Sequence, residues 1–154
     1  MHHLALFLPV QFISILETTG LIVPVGNWVL KEAMAHCAQW RKSNPKLRMS
    51  INLSYIQLEQ EALSEYIYGL LEEYELPGDA IILELTESVQ LQDYTKYNQL
   101  FYQWNKRGIQ ISMDDFGTGY SNMQRIVKLP FDIIKLDRTF TESRLTAASW
   151  IISI

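Results

Sequence analysis

The sequence predicts an α/β protein that forms part of a parallel (β/α) barrel, with about four parallel strands and intervening helices. Three observations carry this. Strand-like and helix-like segments alternate along the chain, as in a parallel sheet with helical crossovers. Within each strand segment side chains alternate faces, and one face is wholly apolar. The opposite face of each strand ends in a polar residue near the C-terminus. An open sheet clad by helices on both sides would want both faces apolar, whereas a parallel barrel carries its chemistry on the C-terminal rim of its inner face.

The elements follow in order. "LPVQFISILETTG" reads as a helix with Pro9 in its first turn and Gly20 as its stop. "LIVPVG" breaks the pattern with Pro24 and Gly26. "NWVLKEAMAHCAQWRKSNP" then reads as an amphipathic helix capped by Asn27, burying Trp28, Leu30, Ala33, Met34, Cys37 and Ala38. "LRMSINLS" is the first strand, and "SEYIYGLLEEYELPG" is a helix with a Pro-Gly exit. "AIILELTES" is the second strand, followed by the helix "YTKYNQLFYQWNKRG", which Gly108 ends. "IQISMDDF" is the third strand, "SNMQRIVKLP" a short helix, and "FDIIKLD" the fourth strand.

Parity places the polar groups. Ser50, Asn52 and Ser54 share one face of the first strand, opposite Met49, Ile51 and Leu53. Ile82, Glu84 and Thr86 oppose Ile81, Leu83 and Leu85; Gln110, Ser112 and Asp114 oppose Ile109, Ile111 and Met113. Ile133, Lys135 and Asp137 oppose Ile134 and Leu136. Asn52, Glu84, Asp114 and Lys135 are therefore expected on one rim, on successive strands. An unpartnered buried carboxylate costs several kcal/mol, so a shared charge partner explains the arrangement. The donors are all oxygens, without His or Cys, which suits Mg²⁺, Mn²⁺ or Ca²⁺ rather than zinc. Asp115 has the opposite parity and reaches the site only if the chain leaves the strand at once, which Gly117 and Gly119 would allow. Two metals bridged by adjacent carboxylates would clamp the attacking and leaving oxygens of a phosphodiester, with Lys135 neutralising phosphate or orienting water. Taken singly, these residues have plainer readings: Asp114–Asp115 as an Asx-capped turn, Glu84 as a strand residue paired to a base, Lys135 as a solvated rim lysine. The "DFG" within "DDFGTG" is not a kinase signature, since no glycine-rich phosphate loop or H-R-D loop accompanies it.

Composition narrows the classes. The 154 residues suggest one domain, and 48% apolar content supports a packed core. A net charge of −4 without a basic tract gives no footprint for a nucleic-acid polymer. No stretch is long and apolar enough to span a bilayer. The opening "MHHLALFLPVQFISILE" has no Lys or Arg before its apolar part and is interrupted by Pro9, Gln11 and Glu17, so it reads as the edge of the folded region; a cytoplasmic location is expected. His2 and His3 read as solvated terminal residues, and the single Cys37 as a buried structural thiol.

"FISILETTGLIVPVGNWVL", "INLS", "LELTES", "DDFGTGYSN" and "LPFDIIKLDRTF" stand in the order and spacing of the EAL domain, which the chain resembles over about residues 9–140. The resemblance implies a TIM-like barrel that hydrolyses cyclic di-GMP to the linear dinucleotide pGpG with Mg²⁺ or Mn²⁺. It implies metal ligation by Asn52, Glu84 and Asp114, a second metal on Asp115, and water positioning by Lys135 with Asp137 beside it. Glu87 resembles the glutamate that holds the "DFGTGYS" loop, associated in the family with dimerisation and activation; Asn122 replaces a usual Ser there. The family's naming E-A-L motif lies upstream of the matched region and is expected to be missing, as are later strands with a catalytic Glu and a Gln near the metals. The chain thus reads as a single incomplete EAL-type domain over 1–154, against about 250 residues for a whole barrel. Exposed strand edges, exposed Ile82 and Ile133, and the unpartnered tail "AASWIISI" suggest a homodimer or association through those edges. Weak or absent catalysis is expected. A non-catalytic EAL-like module binding nucleotide or protein, or a gene fragment without a role, are the alternatives.

Overall fold

The computed structural model describes residues 9–86, 93–116, 129–137 and 151–153. Two helices come first, α1 (Pro9–Thr19) and α2 (Ile22–Arg41). Gly20 separates them with a φ of +74°, as a helix stop requires. Contrary to the sequence reading, α2 begins at Ile22 rather than after Asn27. Pro24 falls in its first turn, where a missing N–H leaves no intrahelical bond unmade. Leu30, Met34 and Cys37 are buried on α2 as expected, but Trp28 is 61% exposed.

β1 (Met49–Asn52) leads into a one-turn helix, α3 (Tyr55–Leu58), that the sequence reading missed. Its signal is a capping box. The Ser54 side chain accepts from the Ile56 N–H, and the Gln57 side chain accepts from the Ser54 N–H. α4 (Leu63–Glu73) buries Leu63, Ile67, Leu70 and Leu71, a stripe of period 3.6. β2 (Ile81–Thr86) follows a single 3₁₀ turn. α5 (Tyr94–Lys106) starts at Asp93, whose carboxylate accepts from the Thr95 and Lys96 N–H groups at 3.0 Å. It buries Tyr97, Phe101 and Trp104, with the indole N–H donating to Ser64 Oγ at 3.0 Å. Gly108, at φ +88°, turns the chain into β3 (Gln110–Phe116), and β4 (Ile133–Leu136) follows.

β1 to β4 lie in sequence order and pair in parallel, the expected arrangement. The core lies on the face that the strands turn to the helices. Ile51, Ile81, Leu83, Ile111 and Met113 pack there with Leu30, Met34, Ile67, Phe101 and Trp104. The tail differs from expectation. Residues Ile151–Ser153 form β5, which pairs antiparallel with β4 along Ile133–Lys135, so that stretch of the tail has a partner. Ile133 is also buried rather than exposed, and Ile82 is half-buried. β1 and β5 are the sheet's edges among the described residues. Glu87, Gly117, Gly119 and most of the helix expected over 121–130 lie outside the described residues. No single helix among those described is long and apolar enough to cross a membrane.

Candidate functional site

The site is assembled by strand register. Asn52 on β1 is level with Glu84 on β2, Glu84 with Ser112 on β3, and Ser112 with Ile133 on β4. These four form one row on one face. Asp114 stands one step further along, level with Thr86. The rim is therefore staggered, with Asp114 beyond the level of Asn52 and Glu84.

The paired acids sit in a β-bulge. Met113 pairs with Ile134 and Phe116 with Leu136, so Asp114 and Asp115 together oppose Lys135 alone. Asp115 absorbs the extra residue with a φ of +57°, a left-handed conformation that Asp tolerates better than most residues. Its N–H donates to Asp114 Oδ1 at 3.0 Å. The backbone departs from regular strand geometry at Asp115 itself, and the strand runs on to Phe116.

Lys135 draws the carboxylates together. Its Nζ donates to Glu84 Oε1, across the intervening strand β3, and lies 3.8 Å from Asp114 Oδ2. The Glu84 side chain is only 5% exposed, so the ammonium supplies the partner that a buried carboxylate needs. Asp115 is held above the ordinary carboxylate range near 3.8, first by desolvation, then by the negative charges of Asp114 and Asp137, with Lys135 opposing. Asp137 follows β4 directly, its N–H donating to the Phe116 carbonyl at 3.1 Å. Asp114, Asp115, Asp137 and Lys135 therefore share one electrostatic neighbourhood. Asn52 is exposed at the end of β1, on the wall of a cleft of about 630 Å³ with Thr86, Ser54 and Gln57.

Two polar groups escaped the sequence reading. Ser112 is fully buried, and its Oγ has no hydrogen-bond partner among the described residues. Its parity with Asp114 was legible, but its burial in the row beside Glu84 was not. Gln57 is equally buried, its Nε2 likewise unpartnered. It packs so closely on Gly26 that a Cβ there would lie 2.2 Å from that nitrogen.

The residues fit a hard divalent cation in donor chemistry. Asn52, Glu84, Asp114 and Asp115 offer only oxygen, and the orphaned Ser112 hydroxyl adds another oxygen at the level of Glu84. No three or more of the described His, Cys, Asp and Glu residues form a ready metal cage. The letters Glu61-Ala62-Leu63 do occur, but in the turn entering α4, with Glu61 exposed and off the sheet.

A sheet of sequential parallel strands with oxygen donors at its C-terminal ends defines a TIM-like α/β class. The chain belongs to the EAL domain family, whose model matches residues 2–149. Among relatives, the cyclic di-GMP phosphodiesterase PA2567 of Pseudomonas aeruginosa is 39% identical over 133 residues, 86% of this chain and 23% of its own length. The cyclic di-GMP phosphodiesterase PdeR of Escherichia coli K12 is 36% identical over 132 residues, 86% of this chain and 20% of its own. The solved structure of the PaMucR phosphodiesterase in complex with c-di-GMP superposes with a TM-score of 0.83 at 35% identity, over 92% of this chain and 58% of that one. The chain thus spans about a fifth of the length of these curated relatives.

Proposed function

We propose that this chain carries catalytic-domain sequence of a divalent-cation-dependent phosphodiesterase that opens cyclic di-GMP to linear pGpG. Family membership, the names of the relatives and the c-di-GMP complex of PaMucR support the reading. The observation that carries it is the convergence of Glu84 and Asp114 on one point, the Lys135 ammonium, at the C-terminal ends of the strands.

In this reading Asn52, Glu84 and Asp114 hold one Mg²⁺ or Mn²⁺, and Asp115 leads the ligation of a second. Such cations, when bound, acidify a coordinated water and offset phosphodiester charge. The bulge lets Asp114 and Asp115 serve one site from adjacent positions. Lys135 orients the attacking water or pairs with a phosphate oxygen, and Asp137 steadies its ammonium. Glu87 holds the loop after Asp115. We place the reaction in the cytoplasm, in keeping with a nucleotide substrate, and assign self-association, where it occurs, to the β1 and β5 edges.

We further propose that these 154 residues by themselves turn over slowly. Asn52, Glu84, Asp114 and Asp115 are few ligand residues for two octahedral cations, and a site working without a general base loses about 10²–10⁴-fold in rate. Calorimetric titration with cyclic di-GMP in Mg²⁺, alongside chromatographic assay of pGpG, tests both parts. Expected are cation-dependent binding, lost in Asp114→Ala, and weak turnover. A folded chain with no cation-dependent binding would sink the functional reading. Brisk turnover abolished by Asp114→Ala would sink only the claim of impairment.

A further inference from the structure

We infer that Lys135 is a built-in counter-ion for the metal site, and that a divalent cation binds by displacing its ammonium from Glu84 and Asp114. The inference rests on the proposed metal reading and adds a competition to it.

The geometry points there directly. Glu84 is nearly buried, and its side chain pairs with Lys135. Lys135 comes from β4 and reaches Glu84 on β2 past β3, although its own cross-strand neighbours are Asp114 and Asp115. At that position one positive charge serves the same oxygens that the donor chemistry assigns to a cation. The ammonium occupies the side of Glu84 Oε1 that faces Asp114, and two cations a few ångströms apart repel strongly in a half-buried site. The ammonium must therefore leave Glu84 as metal enters. Lys135 keeps 30% of its side chain exposed and stands opposite a two-residue bulge, so it has room to swing toward solvent or toward a substrate phosphate. The consequence is a coupling. Lys135 offsets part of the site's negative charge without metal, and metal entry delivers it to the groups it serves in the reaction.

The test uses the full chain and Mn²⁺ as probe, read by electron paramagnetic resonance of the free ion and by thermal unfolding. Lys135→Met should unfold at a lower temperature than wild type in chelator, and bind Mn²⁺ about tenfold more tightly. The difference in unfolding temperature should close at saturating Mn²⁺. Unchanged or weaker Mn²⁺ binding in Lys135→Met, beside normal binding in wild type, overturns the inference and leaves the metal reading standing. Absence of Mn²⁺ binding in wild type overturns both. A wild-type measurement guards against a variant that does not fold. Acetylation of lysines followed by mass spectrometry should show Lys135 labelling several-fold faster with Mn²⁺ than with chelator, while Lys96 and Lys106 do not change. Equal Lys135 labelling in the two conditions overturns the displacement.

Discussion

Lys135 donates a hydrogen bond to Glu84 across the full width of an intervening strand, joining β4 to β2 at the end of the sheet where the acidic residues gather. That one contact links the stability of the metal-free protein to its proposed chemistry.

Glu84→Ala should destabilise the metal-free chain by about 1–3 kcal/mol, because it removes the carboxylate to which the half-buried Lys135 donates. Glu84→Gln keeps an acceptor and should lose less. Urea unfolding of the two variants against wild type measures the order, and a Gln variant no better than Ala would show that the hydrogen bond contributes nothing.

Asp115→Asn should stabilise the metal-free protein at neutral pH. Asn tolerates left-handed φ, and the change removes a charge that Asp114 and Asp137 repel. The sign follows from the raised Asp115 carboxyl. A group that binds its proton more tightly when folded favours folding fully below its unfolded value, and that contribution fades as pH rises through the folded value. The advantage of Asp115→Asn over wild type should therefore be small near pH 3 and grow above about pH 4 toward neutrality. Unfolding temperatures across that range decide it; a constant difference would show that backbone conformation alone is responsible.

Gly26→Ala should lower stability by about 1–3 kcal/mol, since the new methyl meets the buried Gln57 amide, which must then give up its bond to the Ser54 N–H. Adding Gln57→Ala should recover part of the loss. A double-mutant cycle with no coupling between the two positions would refute the clash.

Cys37 should resist thiol reagents until the protein unfolds. It is fully buried on α2, and desolvation raises its pKa, so little thiolate forms and none is accessible. The labelling rate should track global unfolding in denaturant. Fast labelling of native protein would mean that α2 opens locally.

The alternation of elements and the face of each strand residue were legible in the sequence because both depend on short periods, 3.6 for helices and 2 for strands. That is why Asn52, Glu84, Asp114 and Lys135 could be picked out with no structure at hand. Capping at Ser54 and Gln57 was legible too, but a single turn carries too few residues to show a period. The start of α2 was misread because Pro24 looks like a break, whereas in a first turn it removes no hydrogen bond.

By itself, then, the chain determined the alternating faces of each strand and which polar groups end it, since neighbouring side chains settle those matters locally. Only tertiary structure decided the level of one strand against the next, the bulge that sets Asp114 and Asp115 across from Lys135, the reach of Lys135 over β3 to Glu84, and the pairing of β5 with β4. Parity is a property of one strand, but register and stagger are properties of a pair, fixed by packing between segments far apart in sequence.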